Sequence, residues 1–198
     1  FHAAAISDDG CGKVLTWGHG SVGQLGHALN DDCCKPTPVG GPLLQELRKA
    51  SNRVISVACG HYHTAAVCAH GQVLVWGHNR FGQLGLGCTD RKNQPHWLGG
   101  ALENLRVTTV SCGGYHSAAL TQEGHIFVWG QARFGQLGLK DPKHTIPKRV
   151  HMTNPNPPHL HESEVAVLKD ELLPVPLLGV FQGKPTHCNT LQHTATHC

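Results

Sequence analysis

The sequence predicts an all-β protein, and more narrowly a β-propeller of four-stranded antiparallel blades. A run of mainly apolar residues ending in Trp-Gly leads into Gly-Gln-Leu-Gly three times in 198 residues, with the tryptophans 59 and 53 residues apart. Self-similarity at such a period indicates an array of one repeated structural unit. The 24 glycines, 12 prolines and 15% charged residues indicate a turn-rich β-protein rather than a helical bundle.

Two motifs define each repeat. The second motif places a histidine before small residues, in Val57–Val67 and again in Val110–Leu120, 53 residues further on. His2–Ile6 matches its last five positions, so the first unit is incomplete and we expect a fragment or an incomplete gene model. The residues that we expect to be structural in the repeats are Trp17, Gly18, Gly26, His63, Trp76, Gly77, Gly85, His116, Trp129, Gly130 and Gly138.

Each complete unit is expected to contain four short strands. Val54–Ala58 alternates with period two, and His63–Cys68 is small and apolar, as in a buried strand. Gly71 supplies the positive φ of a tight hairpin before the strand that ends at Trp76. Gln94–Leu98 is a candidate outer strand. Four antiparallel strands per unit predict a propeller blade, whereas a β-sandwich does not predict such internal identity.

The repeats are expected to fill residues 1–150. Asn30–Ser51 is interpreted as an insertion in the first interval, in which Pro42–Lys49 could form one or two helical turns at the surface. Residues 151–198 contain neither motif, and we expect a Pro- and His-rich tail, largely disordered, with a short helix over 163–173.

Trp-Gly…Gly-Gln-Leu-Gly joined to Cys-Gly-x-x-His-Thr/Ser-Ala closely resembles the repeats of the regulator of chromosome condensation family. The resemblance covers about residues 1–150. It implies a seven-bladed β-propeller, a ring that about three units cannot close, so we expect a partial, open β-propeller. In that family the founding member is a guanine-nucleotide exchange factor for the small GTPase Ran and docks on nucleosomes. Other members serve as protein-binding modules within ubiquitin ligases, kinases and membrane-traffic regulators.

Our first hypothesis is a non-catalytic protein–protein interaction module. The alternative that the resemblance implies is a guanine-nucleotide exchange factor, or a fragment of one, for a Ran-like small GTPase. Chromatin is a further candidate partner on the formal net charge of +3 alone. The sequence has no Gly-x-Ser-x-Gly, P-loop or His-Glu-x-x-His motif, so we expect neither catalysis by this chain itself nor a cofactor.

Exposed pairs in equivalent loops are the candidate partner-binding residues. Arg80-Phe81 and Arg133-Phe134 occupy matching positions 53 residues apart, and Arg91 extends the first charged loop. Arginine and aromatic residues are enriched at binding hot spots. In the competing interpretation, each phenylalanine packs between blades and each arginine covers it while keeping its charge in water.

Three further patterns suggest chemical sites that the rest of the sequence does not support. Gly18–Gly23 fits Gly-x-Gly-x-x-Gly, but Gln-Leu-Gly follows where a nucleotide site needs a helix. His61 and His63 suggest a metal site, yet position 61 becomes Gly114 in the next repeat. The tail cluster has no standard zinc spacing; it comprises His187, Cys188, His193, His197 and Cys198.

The nine cysteines form no Cys-x-x-Cys motif, and Cys59 and Cys112 occupy equivalent repeat positions. Small buried thiols explain that pair better than disulfides do. We therefore expect a reducing compartment, the cytoplasm or the nucleus. No apolar run approaches the roughly 20 residues of a membrane helix, so membrane insertion is not expected.

Overall fold

The computed structural model describes residues 1–41, 44–45, 52–139 and 143–151, which form three antiparallel sheets. The first sheet contains β1 (His2–Ile6), β2 (Val14–Gly18) and β3 (Cys33–Pro38). The second contains β4 (Val54–Cys59), β5 (His63–Cys68), β6 (Val73–Gly77) and β7 (Lys92–Leu98). The third contains β8 (Val107–Cys112), β9 (His116–Thr121), β10 (Ile126–Gln131) and β11 (Lys143–Val150). Strands pair in chain order within each sheet, and a 3-10 turn spans Gly100–Leu102.

This architecture confirms the predicted all-β, partial propeller. The core lies between the sheets. Both β5 and β6 are buried along their whole length, because the second sheet packs against the first on one face and the third on the other. A strand covered on both faces needs apolar residues at successive positions, which is why Val-Leu-Val-Trp does not alternate. In the described part of the chain, no helix is both long and apolar enough to cross a membrane.

The structure differs from the sequence expectation in the first interval. The predicted insertion contains β3, which pairs with β2 through Leu15 opposite Pro38 and Thr16 opposite Thr37. This strand was missed because it is mostly exposed and carries two prolines, which an edge strand tolerates but a central strand does not. Of the predicted helical turns, only Leu44 and Gln45 are described, and they are helical. Residues 152–198, including the predicted helix over 163–173, lie outside the described residues.

A repeated network of hydrogen bonds joins adjacent sheets. The backbone carbonyl of Gln24 accepts one hydrogen bond from Thr64 Oγ1 at 2.8 Å and one from Trp76 Nε1 at 2.9 Å. The carbonyl of Gln83 accepts from the equivalent Ser117 Oγ and Trp129 Nε1, both at 2.8 Å. Each glutamine therefore uses both lone pairs of one carbonyl to hold the following sheet, which satisfies polar groups that would be costly to bury alone.

Histidines extend this inter-sheet network in the other direction. His2 Nε2 lies 2.8 Å from Thr64 Oγ1, and His63 Nε2 lies 2.8 Å from Ser117 Oγ. Because each hydroxyl already donates its hydrogen to a glutamine carbonyl, each imidazole must donate from Nε2. Nδ1 of both rings is then an unprotonated nitrogen, buried without a hydrogen-bond partner. In the first sheet, Ala3 pairs with Trp17 where Thr64 pairs with Trp76, so that sheet has no equivalent hydroxyl.

The last glycine of Gly-Gln-Leu-Gly packs closely against the tryptophan of the next sheet. Gly85 has a φ of +73°, and a Cβ built there would lie 2.9 Å from Trp129 Nε1. Gly26 has the same relation to Trp76. Gly138 holds the same position in the third repeat with a φ of +62°, but a Cβ there would meet no described atom within 4 Å. Gly85 and Gly138 therefore share the left-handed backbone conformation, but only Gly85 packs against a tryptophan.

We predict that Gly85→Ala destabilises the protein more than Gly138→Ala does. Both substitutions force alanine into the left-handed region, but only Gly85→Ala pushes a methyl group into the indole, an overpacking cost of about 1–3 kcal/mol. Urea denaturation of the two variants measures the difference in the free energy of unfolding. Equal losses would show that Trp129 accommodates the added methyl group without cost.

We also predict that acid weakens the fold through the network histidines. Burial lowers the pKa of His63 to about 3 and that of His2 to about 4. The unfolded chain binds these protons near pH 6.5. The free energy of unfolding is therefore unaffected by these groups above pH 6.5. Below it, the free energy of unfolding falls by about 1.4 kcal/mol per pH unit for each histidine, down to about pH 4 for His2 and about pH 3 for His63. Urea titrations at several pH values should give a shallower pH dependence for His63→Gln than for the unmodified protein. Identical slopes would contradict the assignment.

Candidate functional site

The loops that vary between repeats lie together at one end of the second and third sheets. Cys59 pairs with Thr64 and His63 pairs with Gly77, so the turn 60–62 and the loop that begins at His78 emerge at the same end. The third sheet repeats this arrangement, with the turn 113–115 next to the end of β10. Side chains from neighbouring sheets therefore meet at this end.

Aromatic rings cluster where these turns meet. Tyr62 and Tyr115, at equivalent positions of the second and third sheets, stack with centroids 6.1 Å apart and planes at 29°. The Phe81 ring meets the edge of Tyr115 at 5.1 Å. His61 packs against Tyr115 at 5.8 Å, and a Cβ at Gly114 would come within 3.1 Å of that imidazole. The glycine at position 114 thus leaves room for the ring that its counterpart at position 61 supplies.

Glutamine side chains fix the rim of this cluster. Gln83 Oε1 accepts a hydrogen bond from the Phe81 backbone N–H at 3.0 Å, and its Nε2 donates to His78 Nδ1 at 2.8 Å. In the preceding repeat, Gln24 makes the same two bonds, to the Val22 backbone N–H and to His19 Nδ1, both at 3.0 Å. In these two repeats, the buried glutamine of Gly-Gln-Leu-Gly therefore sets the position of the loop residues before it.

An open depression of about 280 Å³ lies within this cluster, and we call it the aromatic groove. Its volume is near the lower limit of small-molecule sites, which span roughly 300–1,000 Å³. It can accept one or two side chains of another protein. The groove is lined by Val22, Tyr62, His78, Arg80, Phe81 and Tyr115.

The charge of the groove comes from arginine. Arg80 is exposed on its rim, and Arg91 is exposed in the loop that follows. Burial lowers the pKa of His78, and the neighbouring charges of Arg80 and Arg91 lower the pKa further. His78 is consequently neutral near pH 7, and the two guanidinium groups supply the positive charge.

The structure separates the sequence-predicted partner-binding residues into two sets. Arg80 and Phe81 line the groove, and the charge of Arg91 acts on His78 within it. Arg133 and Phe134 lie on the next repeat, where the guanidinium sits 5.5 Å from the phenyl centroid and Phe134 is 67% exposed. Phe81 also contacts the neighbouring sheet through Tyr115, as the competing interpretation expected of a phenylalanine there. Their role in partner binding stays a prediction.

Sequence reasoning did not single out four groove residues: Val22, Tyr62, His78 and Tyr115. The two tyrosines are both followed by the motif histidine, 53 residues apart, and this repetition is a signal that could have identified them. Asn79 was also missed. Its buried side chain bonds the Leu84 N–H and the carbonyls of Cys88 and Asp90, and so holds the loop that carries Arg91.

In the described residues, no group of three or more His, Cys, Asp or Glu residues could hold a metal ion, and the tail cluster lies outside them. The glycine-rich loop after β2 contains turns in place of a helix.

Three stacked antiparallel sheets joined by one repeated network define a β-propeller repeat protein. The chain belongs to the regulator of chromosome condensation (RCC1) repeat family. The family model matches residues 11–67, 70–120 and 123–160, and a second model of the same repeat matches 54–83 and 107–136. The resemblance stated from the sequence is therefore confirmed.

Curated relatives are much longer proteins. The chain is 38% identical over 155 residues to the ultraviolet-B receptor UVR8 of Arabidopsis thaliana, a match that covers 77% of this chain and 33% of the receptor. It is 37% identical over 139 residues to the human E3 ubiquitin-protein ligase HERC2, covering 69% of this chain and 3% of the ligase. The chain thus spans a third or less of these relatives.

Solved structures show the same fold. Human WBSCR16 matches with a TM-score of 0.60 and 26% identity, over 70% of this chain and 34% of that one. Prp20p from Saccharomyces cerevisiae, described with its binding properties to Gsp1p and histones, matches with a TM-score of 0.61 and 20% identity. That match covers 72% of this chain and 35% of Prp20p, and it bears on the fold alone.

We predict that Arg80→Gln raises the pKa of His78. The substitution removes one of the two positive charges that disfavour the imidazolium, while burial of the ring is retained. NMR titration of the His78 ring protons measures the change, with Arg149→Gln on the exposed outer strand as the matched control. An unchanged His78 pKa in Arg80→Gln would place the guanidinium away from the groove.

Proposed function

We propose that this chain is a protein–protein interaction module that binds its partner through the aromatic groove and acts without catalysis. The main observation in its support is that Tyr62, Phe81 and Tyr115 lie together with an exposed arginine at one end of two sheets. Aromatic residues and arginine are the types enriched where protein interfaces concentrate their binding energy.

The groove is also held in place before any partner arrives. Gln24 and Gln83 fix its rim, and the tyrosines of adjacent sheets support one another. Little conformational freedom is lost when a partner binds such a surface, so more of the contact energy remains as affinity. Membership of a repeat family that includes parts of UVR8 and HERC2 supports a binding role. We place this activity in the cytoplasm or the nucleus.

A guanine-nucleotide exchange factor for a Ran-like GTPase is the second candidate. It rests on the family and on the described binding of Prp20p to Gsp1p. Such an activity would stabilise the nucleotide-free GTPase by differential affinity rather than by bond-making chemistry. Chromatin binding is a weaker third candidate, since the net charge of +3 is small.

Site-specific photo-cross-linking tests the proposed function. Benzoylphenylalanine placed at Ser21, an exposed residue next to Val22 of the groove, reports on the groove without removing a proposed binding residue. The same group at His70, an exposed residue in the turn at the opposite end of the strands, is the matched control. In cell extract we expect discrete cross-linked species from position 21 and few from position 70. Equal yields from both positions would overturn the proposal. A Ran-like GTPase in the cross-link, with faster release of its nucleotide, would favour the exchange alternative.

A further inference from the structure

Charge and shape together restrict what the aromatic groove can hold. Its walls are a pair of stacked tyrosines, the Phe81 ring and Val22, which present apolar surface to an incoming side chain. A groove of about 280 Å³ that opens to solvent at a turn-lined end suits a side chain projecting from an extended segment. Burying that side chain against the tyrosines removes apolar area from water on both partners.

The arginines beside these walls have no acidic partner in the described structure. The ion pairs there are Lys13 with Asp9 and the longer approach of His19 to Asp32 at 4.0 Å, and neither includes Arg80 or Arg91. Asp90 is next to Arg91 in the chain, and Asp32 accepts a hydrogen bond from the Gly20 backbone N–H beside His19. Both guanidinium groups are exposed and thus available to a carboxylate, which they bind with paired N–H donors.

We infer that the aromatic groove recognises an acidic, extended segment of a partner protein, with one apolar side chain inserted between Tyr62 and Phe81 and flanking carboxylates on Arg80 and Arg91. This inference rests on the proposed function and specifies its partner chemistry. The apolar insertion provides the contact area. The carboxylates select against basic and neutral segments, because electrostatic complementarity determines specificity and encounter rate more than affinity.

Synthetic peptides of equal length test this inference with the full 198-residue chain. In three of them leucine and phenylalanine alternate with glutamate, lysine or serine, and in a fourth glutamate alternates with serine. Fluorescence anisotropy of the labelled peptides measures binding. We expect the glutamate peptide with apolar residues to bind most tightly, and the glutamate–serine peptide to bind weakly because it has nothing to insert.

Two charge-reversal variants locate the binding. Arg80→Glu should weaken binding of the acidic apolar peptide by about tenfold, since an attraction becomes a repulsion of similar size. Arg149→Glu makes the same change on the outer strand β11 and should leave affinity unchanged. Circular dichroism confirms that both variants fold. Added salt should weaken binding as the screening length falls from about 10 Å at ~0.1 M to about 3 Å at ~1 M.

The outcomes separate this inference from the function on which it rests. Equal affinity for the lysine or serine peptide, or equal weakening by the two charge reversals, overturns the acidic-segment assignment. If cross-linking still favours position 21, the interaction function stands and only its partner chemistry is wrong. If cross-linking shows no preference between the two ends, the proposed function fails whichever peptide binds.

Discussion

The backbone carbonyl oxygens of Gln24 and Gln83 are the constraint on which the rest of the structure depends. Each accepts a hydroxyl and an indole N–H from the following sheet. An oxygen with two fixed donors permits little sliding or rotation of one sheet over the next, because either movement would leave a buried polar group unsatisfied. The core between the sheets removes apolar area from water, but the hydrophobic effect favours no particular orientation of the sheets. The network therefore sets the relation between repeats, and the core fills the space that it defines.

The same glutamines connect the scaffold to the proposed site. The carbonyl of Gln83 holds Ser117 and Trp129, while its side-chain amide fixes the Phe81 backbone and the His78 ring. One residue thus couples the packing of the third sheet to the shape of the groove rim. Arg80 lies three positions earlier, and its exposed side chain takes no part in this hydrogen-bond network. Recognition chemistry can vary there without disturbing the connection between sheets.

The sequence predicted most of the fold because repetition exposes it. Trp76 and Trp129 recur with the same flanking glycines, and a strand buried on both faces leaves an apolar run that is easily recognised. It did not predict β3, because an exposed edge strand with prolines has no periodic signal. The candidate site was only half predictable. Arg80 and Phe81 stood out as a repeated pair, whereas the stacking of Tyr62 on Tyr115 depends on the rotation between sheets, which no local pattern encodes.

The alanine at position 3 makes the sheets of this chain non-interchangeable. At the two junctions between described sheets, a histidine on one side faces a hydroxyl on the other. Such a contact is heterologous, since the two faces that meet are different. The first sheet carries a methyl group at the position where the second and third sheets carry Thr64 and Ser117. One missing oxygen atom therefore gives the order of the repeats a chemical basis, because the first sheet could not take the place of either later sheet without leaving an imidazole N–H without its acceptor.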